Sequence, residues 1–227
     1  TAELFVNAGY PVLAADARGH GRSPGLKGYL PSRTILIEDG VNIVKYARDK
    51  HVSTSCFLVG SSMGGAIALA VSQQVDNVAG VVLLAPMLQL KLGDLERSLL
   101  QTLTYILPNQ MYLIPSISSN AEMQYRDAKK REECENDPFL DKSKFIRLGS
   151  AWTLVDLTQS MEFAEVASPL LILVADEDLF VDNVGSERLY EACASTDKTL
   201  KRYPALHGLL CEPPPLVEQI ETDLLEW

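Results

Sequence analysis

The stretch 56–71, CFLVGSSMGGAIALAV, sets the tightest limit on what this chain can fold into. An apolar, strand-like run ends in two serines and two glycines and passes at once into helix formers. A strand that must turn into a helix within so few residues needs small side chains at the corner. Gly60-Ser61-Ser62-Met63-Gly64 fits G-x-S-x-G with Ser62 at the centre. Ser61 fits no such frame, because Val59 and Met63 flank it at two residues' distance. A serine held at such a corner has Oγ clear of the sheet. The N–H of Met63 and the start of the helix then supply positive charge where an oxyanion would form. Without chemistry, the same residues would be only a small-residue turn.

The rest of the chain supplies a setting for that corner. Short apolar runs recur at 10–17, 55–61, 78–86, 169–176 and 199–205, and read as strands buried on both faces of a parallel sheet. Helix-like segments lie between them at 33–50, 63–75, 184–195 and 215–226. Alternation of this kind predicts an α/β fold with a mostly parallel sheet and helices on both faces. Between 87 and 165 no run reads as a strand, and 92–107 and 120–136 look helical. We therefore expect a helical cap insertion at 87–165, a first part of the core at 1–86 and a second part at 166–227. The cap's Leu99, Leu100, Leu103, Ile106, Leu107, Met111 and Leu113 suit either an acyl-chain entrance or one buried helix face.

A serine nucleophile needs a base, and the chain has three histidines. His51 lies in a polar connection and His20 in a glycine-rich loop before Ser62. His207 follows the last strand, which gives the order serine, acid, histidine. The segment VADEDLFVD, after the run at 169–176, offers Asp176, Glu177, Asp178 and Asp182. A loop acid a few residues past the strand favours Asp178, with Asp176 second, while Asp176 or Asp182 also suits a helix cap.

A net charge of −10 argues against nucleic acid as a partner. The four cysteines carry no C-x-x-C spacing, so neither a zinc site nor a disulfide framework is expected, and Cys56 reads as a buried thiol. No motif implies a metal or an organic cofactor. No apolar run reaches the ~18 residues of a membrane span.

Several segments resemble the monoacylglycerol lipase-like and lysophospholipase-like serine hydrolases of the α/β-hydrolase fold. GYPVLAADARGHGRSPGLKGY is similar to that family's segment around R-G-H-G-x-S. GSSMGG resembles its G-H-S-M-G-G elbow, with Ser61 where histidine is usual. LLAPML and ENDPF resemble its A-P-M and D-P segments. VADEDLFVD resembles G-x-x-D-x-x-V-D, and HGLLCEP resembles H-E-L-L-x-E-P. The resemblance implies a serine ester hydrolase with Ser62 as nucleophile, Asp178 as acid, His207 as base and Met63 N–H as an oxyanion donor. It implies a small-molecule acyl ester of the monoacylglycerol or lysophospholipid kind as substrate. It allows transient membrane-surface contact through the cap and a cytoplasmic or peripheral-membrane location.

The family also carries an H-G segment after its third strand, which supplies the second oxyanion donor, and nothing in this chain matches it. We expect the chain to start in the helix after that strand, with N-terminal strands missing, one of them central between 10–17 and 55–61. Such a piece would be impaired as an enzyme. The alternative is a non-catalytic or truncated hydrolase-fold binding protein without a complete oxyanion hole.

Overall fold

Four of the five predicted runs become strands because each has a parallel neighbour to satisfy its backbone groups. A computed structural model of the protein describes residues 1–51, 55–116 and 120–227. β1 (Cys56–Ser61), β2 (Val78–Leu84), β5 (Leu170–Ala175) and β6 (Lys198–Tyr203) form one sheet in the order β1-β2-β5-β6. All three pairings are parallel, with Ser61 opposite Leu84 and Ala175 opposite Tyr203, so the strands end along one common edge. Every residue of β5 is buried, as expected of a central parallel strand.

Helices cover the two faces. On one side α2 (Arg33–Lys50), α3 (Met63–Ser72) and α8 (Val184–Ala192) enclose a core that includes Leu69, Val81, Leu83, Ile172 and Leu189. On the other, α9 (Leu216–Glu226) buries Ile220 and Leu224 against Leu171, Leu173 and Tyr203, and Leu4 and Phe5 of α1 (Ala2–Asn7) pack on the same cluster. Ser32 caps α2 by accepting from Ile35 N, and Arg48 and Lys50 complement the dipole in its last turn.

The run 10–17 does not form the expected strand. It lies outside any regular element and is exposed along its whole length. A strand exists only through its neighbours, and among the described residues none pairs with this run. β1 is consequently an end strand, with Phe57 46% and Val59 39% exposed.

The stretch between the second and third strands of this sheet also differs from an all-helical reading. Between β2 and β5 lie α4 (Asp94–Ile106), α5 (Ala121–Gln124), α6 (Ala128–Asn136) and α7 (Leu148–Gln159), together with β3 (Tyr112–Pro115) and β4 (Phe145–Arg147). β3 and β4 pair antiparallel, Tyr112 opposite Arg147 and Ile114 opposite Ile146. Each is only three or four residues long, and their partnership spans some thirty residues of sequence, so local periodicity carries no trace of it. Leu100, Leu103, Leu107 and Leu113 pack in a separate apolar cluster with Leu148, Ala151 and Val155 of α7. Leu99, Ile106 and Met111 remain exposed. The helix α7 joins this layer to the core, because its Leu157 is buried in the main cluster.

Candidate active site

The corner after β1 is built from contacts that the glycines make possible. Ser62 has φ +53° and ψ −122°, a left-handed conformation that a side chain rarely adopts and that costs roughly 1–3 kcal/mol. Neighbouring backbone holds it there. Ser62 N donates to Leu84 O at 3.0 Å, and Ser62 O accepts from Met87 N at 2.9 Å and Gly65 N at 3.0 Å. A Cβ at position 60 would collide with the backbone carbonyl of Gly64, and one at position 65 would lie 2.8 Å from Pro86 Cβ. Position 64 is different: a Cβ there would meet open space, so steric need for a small residue falls on Gly60 and Gly65. Sequence reading did not anticipate Ala85, which also has positive φ (+42°) just past the neighbouring strand.

Asp178 and His207 meet on the same sheet edge. Asp178 lies three residues past β5 and His207 four residues past β6. His207 Nδ1 donates to Asp178 Oδ2 at 2.6 Å, while Asp178 Oδ1 accepts from Phe180 N at 2.8 Å and Val181 N at 3.1 Å. Burial pushes the Asp178 carboxyl up. The hydrogen bond and charge of His207, with the two backbone N–H groups, outweigh it and hold Asp178 below the usual carboxylate range. The Phe180 ring leans on the imidazole, centroids 5.1 Å apart. Ser62 follows the end of β1 on this edge, and Met63 begins α3 beside it. The hydrogen bonds among the described residues join His207 to Asp178 and not to Ser62 Oγ. Catalytic hydrogen bonds are often long without substrate and tighten when it binds.

The other sequence candidates have different partners. Asp176 pairs with Arg202 at 2.6 Å, and Asp182 accepts from Gln89 Nε2 at 2.9 Å and Val184 N at 3.2 Å near the start of α8. His51 is exposed, and His20 Nδ1 lies 2.9 Å from Arg18 O. Cys56 is half-buried against the core rather than fully enclosed. Among the described residues, no group of three His, Cys, Asp or Glu side chains is placed to hold a metal ion. No helix among them is long and apolar enough to cross a membrane.

The model of the family Hydrolase_4, described as serine aminopeptidase, S33, matches residues 1–214. The chain belongs to this α/β-hydrolase family. It is 32% identical over 216 residues to a monoacylglycerol lipase of Mycolicibacterium smegmatis, covering 93% of this chain and 76% of that protein. It is also 28% identical over 242 residues to a caffeoylshikimate esterase of Arabidopsis thaliana, covering 98% and 70%. The crystal structure of a monoacylglycerol lipase from Paleococcus ferrophilus superposes with a TM-score of 0.83 at 25% identity, covering 100% of this chain and 86% of that one. The chain is thus a monoacylglycerol lipase-like α/β-hydrolase.

Proposed function

We propose that the protein hydrolyses acyl esters of the monoacylglycerol or lysophospholipid kind through Ser62, His207 and Asp178. The observation that carries this reading is the 2.6 Å bond from His207 Nδ1 to Asp178, made on the edge where Ser62 sits at positive φ. With Nδ1 committed to Asp178, Nε2 faces the other way as the proton acceptor. Ser62 Oγ attacks the carbonyl carbon as its proton passes to Nε2, and Asp178 stabilises the imidazolium that forms. Met63 N–H, at the start of α3, stabilises the oxyanion. Collapse breaks the ester bond, and the alcohol leaves with the proton from His207. Water then attacks the acyl-enzyme with His207 as base again, releasing the carboxylic acid and restoring Ser62.

In this reading, residues 87–165 form the cap, and the segments 1–86 and 166–227 form the core beneath it. The exposed apolar side chains of α4, Leu95, Leu99 and Ile106, recur along one stripe and suit transient contact with a lipid surface that presents the substrate. Met63 N–H is the oxyanion donor we assign, at the start of α3 where the helix dipole adds to it.

The test is covalent labelling by a fluorophosphonate probe together with hydrolysis of monoacylglycerol. Labelling that Ser62→Ala abolishes and Ser61→Ala leaves intact is the expected result. Labelling that survives in Ser62→Ala would sink the assignment, and a protein that binds ester without labelling or turnover would be a binding protein instead.

A further inference from the structure

Beside His207 lies an ion-pair cluster that the proposed mechanism does not use. Arg126 stands between α5 and α6. Its Nε donates to Glu212 Oε2 at 2.9 Å, and its NH2 lies 3.1 Å from Glu177 Oε2 and 3.3 Å from Pro204 O. Glu177 directly precedes Asp178. Glu212 reaches back to the other loop, where its Oε1 accepts from Leu206 N at 2.6 Å, and Leu206 directly precedes His207. One guanidinium thus spans the loop that carries Asp178 and the loop that carries His207.

Burial gives this arrangement its leverage. The Glu212 side chain is 1% exposed, and a carboxylate so enclosed is tolerated only when paired and hydrogen-bonded. Arg126 is its cation. The planar guanidinium can bond two carboxylates at once from fixed directions, which an ammonium group does less well. The two loops also share a backbone bond, Glu177 N to Ala205 O at 3.0 Å. Arg126 therefore refines their mutual placement rather than creating it.

The neighbouring residues seat the same segment on the His207 loop. Gly208 N donates to Gln124 O at 3.0 Å. A Cβ at position 208 would lie 2.6 Å from the Tyr125 ring and 3.0 Å from Gln124 O, so glycine is needed there for close approach. Position 208 is where the motif resembled by HGLLCEP has glutamate.

We propose that Arg126 is a positioning residue that couples the seating of the 124–126 segment to the Asp178–His207 pair through Glu177 and Glu212. This rests on the triad reading above. Small errors in placement matter at such a pair, since displacement of about 1 Å can cost ~10² in rate. Loss of Arg126 leaves both glutamates without their shared cation and frees both loops to shift.

The test compares Arg126→Gln, Arg126→Lys, Glu177→Gln and the double variant Arg126→Gln/Glu177→Gln in the full chain. Three quantities are read: kcat and KM on a short 4-nitrophenyl ester, the melting temperature, and the proton NMR signal of His207 Nδ1–H. Arg126→Gln should lower kcat about tenfold or more, with KM nearly unchanged, and should shift or broaden the Nδ1 proton signal. Arg126→Lys should recover part of kcat. The Glu177→Gln effect should largely vanish when Arg126 is already Gln, because both remove one link. Wild-type kcat and an unmoved Nδ1 signal in folded Arg126→Gln would overturn the proposal. If Arg126→Gln does not fold, Glu177→Gln decides, because it retains the buried pair. Unchanged kcat and an unmoved signal there would overturn the proposal equally. Failure of the triad reading looks different: fluorophosphonate labelling would then persist in Ser62→Ala, whatever Arg126 does.

Discussion

Asp178 and Asp176 lie two residues apart and have opposite surroundings. Asp178 is buried and faces His207, whereas Asp176 is paired with Arg202 near the surface. Asp178→Asn should therefore lower kcat by about 10²–10⁴, because the amide cannot stabilise an imidazolium and favours the wrong tautomer. Asp176→Asn should leave kcat within a few-fold. Steady-state kinetics on a 4-nitrophenyl ester checks both, and the reverse ranking would move the acid to Asp176. A second prediction concerns Gly60. Its missing Cβ is what lets the backbone of Gly64 come close, so Gly60→Ala should destabilise the fold by about 1–3 kcal/mol in urea unfolding and lower kcat with it. Gly64→Ala, with open space, should cost less than 1 kcal/mol. The corner itself was legible in sequence because it is local: small residues, strand before, helix after. The pairing of Asp178 with His207 was legible only as an order along the chain. The Arg126 bridge was not legible at all, because it joins three segments that no periodicity connects.

At the scale of elements, what sequence reveals depends on how far away the partner is. The helix expected at 33–50 spans the same residues as α2, since its cap, basic end and apolar stripe are all internal to it. The strands expected at 55–61, 78–86, 169–176 and 199–205 appear as β1, β2, β5 and β6, with ends moved by at most two residues. Burial on both faces holds for β5 and most of β2, while β1 and β6 close the two ends of the sheet and are only partly buried. The β3–β4 pair escaped notice because each half is too short to signal alone. One tie between elements yields a further prediction. Tyr203, 2% exposed at the end of β6, donates to Asp223 Oδ2 of α9 at 2.8 Å, and Lys201 Nζ lies 2.6 Å from Asp223 Oδ1. Lys201 first, then Tyr203, holds the Asp223 carboxyl below its ordinary value. A carboxyl depressed on folding adds stability that is complete above its unfolded-state value and is lost as pH falls through the folded one. Tyr203→Phe should thus cost about 1–2 kcal/mol at pH 7, and the difference from the parent should shrink as pH falls below about 4. Urea unfolding at pH 7 and at pH 3 measures it. An equal penalty at both values would show that the phenol acts by packing rather than through the carboxylate.

For the whole molecule, the fold class followed from the alternation of runs and segments, and one flank of the sheet is exposed. The run 10–17 carries Tyr10, Val12 and Leu13, each 41–50% exposed, and β1 presents Phe57 and Val59 to solvent at the end of the sheet. An end strand offers a row of unpaired N–H and C=O groups, and proteins usually blunt such edges with charge, proline or a bulge. β1 (CFLVGS) has no charge and no proline, and its one register shift lies at its start, between Cys56 and Phe57. The net charge of −10 opposes association over long range but is weakened by salt, because screening at 0.15 M acts beyond about 8 Å. Contact between two such edges is short-range and survives it. Residues 1–227 should therefore self-associate in a salt-promoted way, with β1 as the sticky element. Val59→Lys places a charge on a half-exposed position of that strand and should suppress association without changing the fold. Sedimentation velocity at 0.05 and 0.5 M NaCl, on parent and Val59→Lys, reads both effects. A parent protein that stays monomeric at both salt concentrations up to about 100 μM, the range in which exposed strand edges drive aggregation, would show that this edge is already protected and would end the idea.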